Sequence, residues 1–162
     1  MTQAKHNKKH IVIFGDVMLD IYHHGKATRI SPEAPIPVLQ VKKTVHQCGG
    51  AGNVALNLTQ LDCKVTLCGI IGDDPSGKIL NTLLNDAGIS AMLHSATNHQ
   101  TTTKVRSVEG FHQVMRMDFE QASPAITDCF NTDVLQQLIQ SADCVIFSDY
   151  KNNYSLEKDF YI

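Results

Sequence analysis

The stretch of sequence that decides the fold is Gly49-Gly50-Ala51-Gly52-Asn53-Val54-Ala55. Glycine lacks a Cβ atom, so this stretch lets the backbone turn tightly and approach a ligand closely. Apolar residues then recur on one face, at Val54, Leu58 and Leu61, which predicts a helix that begins near Gly52. The free N–H groups at the start of such a helix can bind hydroxyl groups or an anion. A tight turn that binds nothing explains the glycines equally well.

The same stretch fits the GxGxxA pattern of dinucleotide-binding proteins at residues 50–55. That pattern requires a buried strand directly before the glycines. Residues 42–48 are mostly polar and make a poor buried strand, and the first good strand ends far upstream. The context therefore argues against a dinucleotide site.

Outward from this stretch, the hydrophobic pattern predicts strands that alternate with helices. Strands are predicted at residues 10–14, 64–71, 90–96, 101–108, 113–119 and 144–148, and helices at residues 75–87 and 131–141. Gly88 is suited to end the first of these helices, and Thr132 is a candidate N-cap for the second. Such alternation predicts an α/β fold with a mostly parallel sheet flanked by helices. Residues 17–48 contain three prolines and β-like segments, which predict a small inserted sheet, or lid.

Two carboxylates follow the first predicted strand. Asp16 lies in a Gly-Asp turn at the carboxyl end of that strand, where open α/β sheets bind their ligands. It is therefore a candidate acceptor for the hydroxyl groups of a ligand, although an aspartate that only caps a turn is common. Asp20 either joins it or faces solvent.

Three cations lie on two other predicted strands. Lys104 and Arg106 alternate along one strand and so share a face, and Arg116 lies on the next. Such a group can hold a phosphate, but a solvated sheet face accounts for the same spacing. The acidic pair Asp73-Asp74, which precedes Pro75, is interpreted as helix capping.

Composition excludes several classes of function. The 162 residues suit one domain, with 43% hydrophobic and 19% charged residues. A net charge of −2 gives no basic field for nucleic acid or anionic lipid. The apolar run at residues 11–14 is too short for a signal peptide or a membrane span, so we expect a cytoplasmic protein.

The cysteines and histidines do not suggest a metal site or a disulfide framework. Five cysteines make an odd number with no CxxC pair, which favours free thiols in a reducing compartment. Eight histidines are scattered without zinc-ligand spacing, so no metal-binding residue is predicted.

Taken together, these residues resemble the ribokinase-like (PfkB) carbohydrate kinases. The glycine stretch at residues 49–55 matches the first signature of that family, with its distal glycine at Gly72. Asp62 departs from the family, which usually has Gly or Ser there; we expect this to alter a helix C-cap and leave the ligand untouched.

Within that family, the chain is most similar to the D-glycero-β-D-manno-heptose-7-phosphate kinases. The likeness covers nearly all of residues 10–150. The segments that carry it are Phe14-Gly15-Asp16-Val17-Met18-Leu19-Asp20, Thr28-Arg29-Ile30-Ser31-Pro32-Glu33-Ala34-Pro35-Ile36-Pro37-Val38, Thr103-Lys104-Val105-Arg106, Met115-Arg116-Met117-Asp118-Phe119-Glu120 and Ser148-Asp149-Tyr150. Another sugar or nucleoside kinase of the same fold is disfavoured by the run at residues 29–37.

The resemblance implies a Rossmann-like ribokinase domain at residues 1–150, with a β lid at about residues 17–48 that often forms a dimer clasp. The sugar would lie between lid and sheet. Asp16, Asp20, Asn53 and the backbone of Gly49 and Gly50 would bind its hydroxyl groups, and Lys104, Arg106 and Arg116 its 7-phosphate. Such kinases use ATP and Mg²⁺ to phosphorylate the anomeric hydroxyl group, on the way to the ADP-heptose of lipopolysaccharide core.

In this family, the catalytic aspartate lies in a Gly-Ala-Gly-Asp motif, and an Asn-x-x-Glu motif helps to place Mg²⁺. Neither motif occurs in residues 1–162, so no catalytic or nucleotide-binding residue is predicted. Residues 151–162 diverge from the family pattern, which predicts a truncation or a frameshift. Two hypotheses follow: a sugar kinase of which this chain is the sugar-binding half, inactive by itself, or a non-catalytic remnant that binds a sugar phosphate or a partner chain.

Overall fold

The computed structural model describes residues 7–150, in which eight strands form two four-stranded sheets. The elements in chain order are β1 (His10–Gly15), β2 (Val17–Ile30), β3 (Pro37–Gly50), α1 (Ala51–Gln60), β4 (Lys64–Gly72), α2 (Pro75–Asp86), β5 (Ser90–Ala96), β6 (Thr103–Glu109), β7 (His112–Phe119), α3 (Ile126–Cys129), α4 (Thr132–Ser141) and β8 (Cys144–Ser148). The predicted divergent segment, residues 151–162, lies outside the described residues.

The first sheet, which we call the body sheet, has the strand order β5-β4-β1-β8 and is parallel throughout. Parallel strands are joined by crossover helices, which cover both faces and demand apolar residues on both. Helices α1 and α2 bury Ile13, Leu67 and Leu84 on one face. Helices α3 and α4 bury Phe14 and Leu135 on the other. The predicted fold class, a mostly parallel sheet flanked by helices, is confirmed.

The second sheet, which we call the lid sheet, has the strand order β3-β2-β6-β7. Strands β2 and β3 form a long antiparallel hairpin. Strand β6 pairs parallel with β2, and β7 pairs antiparallel with β6. The sheet therefore extends beyond residues 17–48, because β6 and β7 return to it from much later in the chain.

Body and lid are joined where β1 passes into β2 and where β3 passes into α1. The Ala51 N–H donates to the Asp16 carbonyl oxygen over 2.9 Å, which brings the two joints together. Gly50 has a φ of 55° and forms the N-cap of α1. A Cβ atom on Gly50 would lie 2.3 Å from the Asp16 carbonyl oxygen, so this position requires glycine for its conformation and for its space.

Helix ends agree with the predicted capping except in one case. Asp74 is the N-cap of α2, as predicted, and accepts the Gly77 N–H over 2.7 Å. The prediction for Thr132 is wrong: Asn131 is the N-cap of α4, and its Oδ1 accepts the Asp133 N–H over 2.8 Å. Asp62 follows α1 with a φ of 62°, a backbone conformation that suits glycine, in line with its predicted role at a helix end.

All five cysteines are free thiols in this structure. Among the helices of residues 7–150, none has the length and apolar character needed to cross a lipid bilayer.

Candidate functional site

The candidate site lies where the carboxyl end of β1 meets the lid sheet. Asp16 follows β1 directly and is buried, with 3% of its surface exposed. Its N–H donates to the Ser148 carbonyl oxygen over 3.0 Å, and its Oδ2 accepts the Tyr150 N–H over 2.7 Å. Asp16 therefore connects the ends of two neighbouring body strands, β1 and β8, and closes the floor of the site.

Asp20 lies further along the chain, on β2, and its side chain is partly exposed. Its Oδ1 accepts from Arg106 Nη1 over 2.5 Å. The same guanidinium group lies over the Tyr22 ring, with 5.1 Å between the Arg106 Cζ atom and the ring centroid. Burial lowers the pKa of Arg106, but the hydrogen bond and charge of Asp20 outweigh it and hold the pKa above its ordinary value.

The glycine stretch approaches both aspartates. A Cβ atom on Gly49 would lie 2.7 Å from Asp20 Oδ2, so the carboxylate faces bare backbone at that point. Helix α1 begins directly afterwards, with no side-chain N-cap and no acidic residue in its first turn. The Ala51 N–H of this helix start donates to the Asp16 carbonyl oxygen, and no side chain caps the N–H groups that follow it.

Asn53 lies on the first turns of α1, with an exposed side chain. It lines a cavity of about 300 Å³ together with Gln47, Cys48 and Asn57. Burial, and then the charge of Asp20, raises the pKa of Cys48 to about 11, so its thiol stays protonated and is not a nucleophile at neutral pH.

The three predicted cations share one face of the lid sheet. Asp20 pairs in register with Lys104, and Lys104 with Asp118. Tyr22 pairs with Arg106, and Arg106 with Arg116. Since directly opposed residues of neighbouring strands point to the same side, all of these side chains lie on what we call the charged face of the lid.

Each of these cations is paired with a carboxylate. Lys104 Nζ donates to Asp118 Oδ2 over 3.2 Å and also contacts Glu120. Arg116 Nε lies 2.9 Å from Asp118 Oδ1. Burial lowers the pKa of Lys104, but its bonds to Glu120 and Asp118 outweigh that and raise the pKa. The charged face therefore carries three cations and three carboxylates, so its positive charge is already balanced by Asp20, Asp118 and Glu120.

The structure thus brings Asp20 and the three cations together on one face and places the Gly49-Gly50 backbone beside Asp20. Four further groups at this site were not predicted from the sequence. Tyr22, Asp118, Glu120 and the Tyr150 N–H all contact predicted site residues. Alternation along β7 could have revealed Asp118, because it shares a face with Arg116. Nothing local to the sequence marks the Tyr150 contact.

Comparison with known proteins yields one family and a consistent set of relatives. A family profile described as "pfkB family carbohydrate kinase" matches residues 8–159. The bifunctional protein HldE of Coxiella burnetii is 43% identical over 145 residues, covering 90% of this chain and 30% of that protein. A D-beta-D-heptose 7-phosphate kinase of Bordetella bronchiseptica is 43% identical over 141 residues, covering 86% of this chain and 45% of that protein.

Solved structures agree on the fold. A carbohydrate kinase from Agrobacterium tumefaciens superposes with a TM-score of 0.68 at 18% identity, covering 86% of this chain and 45% of that one. An Arabidopsis thaliana ribokinase, solved with ribose and ATP, gives a TM-score of 0.65 at 19% identity, covering 87% of this chain and 45% of that one. This chain therefore spans less than half of the kinases that it matches.

Proposed function

The chain belongs to the pfkB family of carbohydrate kinases, and from that membership we propose that it binds a heptose 7-phosphate for phosphorylation at the anomeric hydroxyl group. The reaction would transfer the γ-phosphoryl group of ATP to D-glycero-D-manno-heptose 7-phosphate. Support for this substrate comes from the D-beta-D-heptose 7-phosphate kinase that is 43% identical over 141 residues. ADP-heptose synthesis for lipopolysaccharide, in the cytoplasm, is the pathway that we propose for it.

One observation carries the proposal: the Asp20 carboxylate, on the charged face of the lid, lies against the Gly49 backbone just before the start of α1. A phosphorylated sugar has two chemically different ends, hydroxyl groups and a dianion. The Asp20 carboxylate, beside the bare backbone of Gly49, is suited to hydroxyl groups. The cations of the lid are suited to the dianion.

For the sugar ring, we assign hydroxyl recognition to Asp20, to Asn53 and to the backbone of Gly49 and Gly50. Asp16 supports them from the floor of the site, where its carboxylate also accepts the Tyr150 N–H. A buried carboxylate that joins two strand ends keeps the sugar-facing backbone in a fixed position.

For the 7-phosphate, we assign Lys104 and Arg116. Arg106, which the sequence also suggests for the phosphate, is bonded to Asp20. Lys104 is mostly buried, with 17% of its side chain exposed, whereas its partner Glu120 is 42% exposed. An incoming phosphate would replace Asp118 and Glu120 around Lys104, exchanging carboxylate oxygens for phosphate oxygens. This exchange makes binding dependent on the carboxylates as well as on the cations.

ATP and Mg²⁺ are proposed from family membership alone. Within residues 7–150, no three histidine, cysteine or acidic side chains converge in an arrangement that would hold a metal ion. The start of α2 carries the Asp74 cap and that of α4 carries Asp133, and both carboxylates oppose a nucleotide phosphate. We propose that residues 7–150 bind the sugar phosphate and that residues outside this range bind the metal–nucleotide complex.

The lid also suggests a self-association surface. The face opposite the charged face carries Met115, Met117 and Phe119, which are 50%, 39% and 42% exposed. Exposed apolar residues grouped on one edge strand favour burial against another surface. We propose a homodimer through the lid, and we propose no nucleic-acid or membrane partner for a chain with a net charge of −2.

Isothermal titration calorimetry of the 162-residue chain with D-glycero-D-manno-heptose 7-phosphate tests the proposal. We expect saturable binding, weakened by Asp20→Asn, and no binding of ribose. The same chain is expected to release no ADP from ATP, because its sequence has no Gly-Ala-Gly-Asp motif. Equal affinity for ribose and the heptose phosphate would reject the substrate assignment, and robust turnover would reject the expected inactivity.

A further inference from the structure

We propose that Arg106 is a positioning residue, which holds the Asp20 carboxylate toward the Gly49-Gly50 turn and does not bind the phosphate of the substrate. This assignment rests on the proposed function, since Asp20 is there the acceptor for sugar hydroxyl groups. It divides the three lid cations into one that acts on the sugar through a carboxylate and two that face the phosphate.

The Arg106 guanidinium is held on two sides. Its Nη1 donates to Asp20 Oδ1 over 2.5 Å, and its Cζ lies 5.1 Å from the centroid of the Tyr22 ring. The two charged side chains are only 18% and 17% exposed. A guanidinium that is bonded to a carboxylate and stacked on an aromatic ring has little freedom to turn toward another anion.

The two oxygens of Asp20 have separate surroundings. Oδ1 accepts from Arg106, whereas Oδ2 lies 2.7 Å from the place where a Cβ atom of Gly49 would stand. Because Arg106 fixes the first oxygen, the second is held facing the glycine backbone at the start of α1. Fixing one oxygen of a carboxylate orients the other for a hydroxyl group without further loss of rotational entropy on binding.

Lys104 and Arg116 differ from Arg106 in this respect. Both contact Asp118, which lies on the edge strand β7, and the Arg116 side chain is 50% exposed. Their carboxylate partners stand at the rim of the sheet, where an incoming dianion can displace them into water. Arg106 pairs with a carboxylate of the interior strand β2, which the glycine turn confines from the other side.

The two roles make opposite predictions for a sugar that lacks the phosphate. A phosphate-binding arginine contributes only to the phosphorylated ligand. A positioning arginine contributes to the hydroxyl contacts of Asp20 and so to both ligands equally. The informative pair of probes is therefore D-glycero-D-manno-heptose 7-phosphate and D-glycero-D-manno-heptose.

The experiment titrates both sugars into the 162-residue chain and into Arg106→Gln, Asp20→Asn, the double variant and Arg116→Gln. For Arg106→Gln we expect affinity for both sugars to fall by a similar factor, about tenfold for loss of a charge-assisted bond. The double variant should bind no more weakly than Asp20→Asn alone, since the arginine acts through the aspartate. Arg116→Gln should weaken only the phosphorylated sugar.

A loss in Arg106→Gln that is confined to the phosphorylated sugar would overturn the assignment, and so would unchanged affinity for both. If the unaltered chain binds neither sugar, the proposed function fails, and the positioning role fails with it. If the unaltered chain binds both sugars and only the variants behave otherwise than expected, the positioning role alone fails. Should Arg106→Gln not fold, as judged by circular dichroism, Arg106→Lys replaces it. Its ammonium group can still reach Asp20, so a smaller loss, again equal for both sugars, is expected.

Discussion

The body sheet and the lid sheet are built from the same number of strands but differ in how deeply their side chains are buried. Val12, Ile13 and Leu67 of the body are fully buried between two layers of helices. Every residue of the lid strand β7 is exposed. Because stability comes chiefly from apolar burial, the body holds the fold together, and the lid is free to carry charge. The contrast places the paired cations and carboxylates on the more exposed of the two sheets.

The largest test of this contrast shortens one aliphatic side chain in each sheet to alanine. Leu67→Ala leaves a cavity in the body and is expected to lower the free energy of unfolding by about 3–4 kcal/mol. Val41→Ala in β3 of the lid, where the side chain is 48% exposed, is expected to cost less than about 0.5 kcal/mol. Urea unfolding followed by circular dichroism measures both. Equal losses would mean that the lid shares the core.

A second test addresses the junction between the two sheets with two glycines that both have a positive φ. Gly88 has a φ of 72° and open space around a Cβ atom, so Gly88→Ala should cost about 1 kcal/mol for the left-handed conformation alone. At Gly50, a Cβ atom would also meet the Asp16 carbonyl oxygen. We expect Gly50→Ala to lower the free energy of unfolding by about 2–3 kcal/mol. If Gly50→Ala lowers the free energy of unfolding no more than Gly88→Ala does, the backbone around Gly50 can shift to accommodate a Cβ atom.

A third test uses a further connection between body and lid, where Asp74 holds the loop between β5 and β6. Its Oδ2 accepts the Thr101 N–H over 2.8 Å, and its Oδ1 accepts the Gly77 N–H over 2.7 Å. Burial raises the pKa of Asp74, but these bonds outweigh it and hold the pKa below 3.8. A carboxyl group with a depressed folded-state pKa stabilises the protein above its unfolded-state pKa and loses that contribution as the pH falls through the folded-state value.

Asp74→Ala should therefore lower the free energy of unfolding by about 1–2 kcal/mol at pH 7. The difference from the unaltered chain should shrink as the pH falls below 3.8, because the protonated carboxyl group no longer accepts both bonds. The exposed neighbour supplies the control: Asp73→Ala removes only an ion pair to Lys78 at 3.4 Å and should change little. A pH-independent difference between the Asp74 variant and the unaltered chain would contradict the assignment.

The smallest expected effect concerns the balance of charge on the lid. Asp118→Asn removes the carboxylate that Lys104 and Arg116 share, so their positive charge becomes more available to a phosphate. Affinity for the heptose 7-phosphate should rise by about threefold, since exposed ion pairs are weak. Added salt should reduce that gain. Asp86→Asn, at an exposed position on α2, is the matched control and should leave affinity unchanged.

Local patterns predicted most elements, and the reason is visible in the body. Its strands are continuous apolar runs, and its helices repeat apolar residues on one face, so a short window of sequence carries the signal. The lid was predicted only as residues 17–48. Strands β6 and β7 were recognised as strands, but their membership of the lid depends on pairing with β2, which no local pattern specifies.

The candidate site also combines features that a local pattern predicts with features that depend on strand pairing. The glycine stretch and the position of Asp16 after a strand are local features, and both lie at the predicted end of the sheet. Which carboxylate faces which cation is not local: Arg106 and Asp20 are 86 residues apart in the chain, and only the parallel pairing of β2 and β6 brings them together. Whether a lysine or arginine is available to bind a phosphate, or is already bonded to an aspartate, depends on that register.

The sequence by itself determined the α/β class of this protein, the family to which it belongs and the residue types of the proposed sugar-phosphate site. Backbone propensity, apolar periodicity and glycine spacing are short-range properties, and they survive in a one-dimensional pattern. Tertiary structure alone decided that the lid draws strands from both halves of the chain and that its cations are matched by carboxylates. Those outcomes depend on strand register, which is set by packing across the whole sheet.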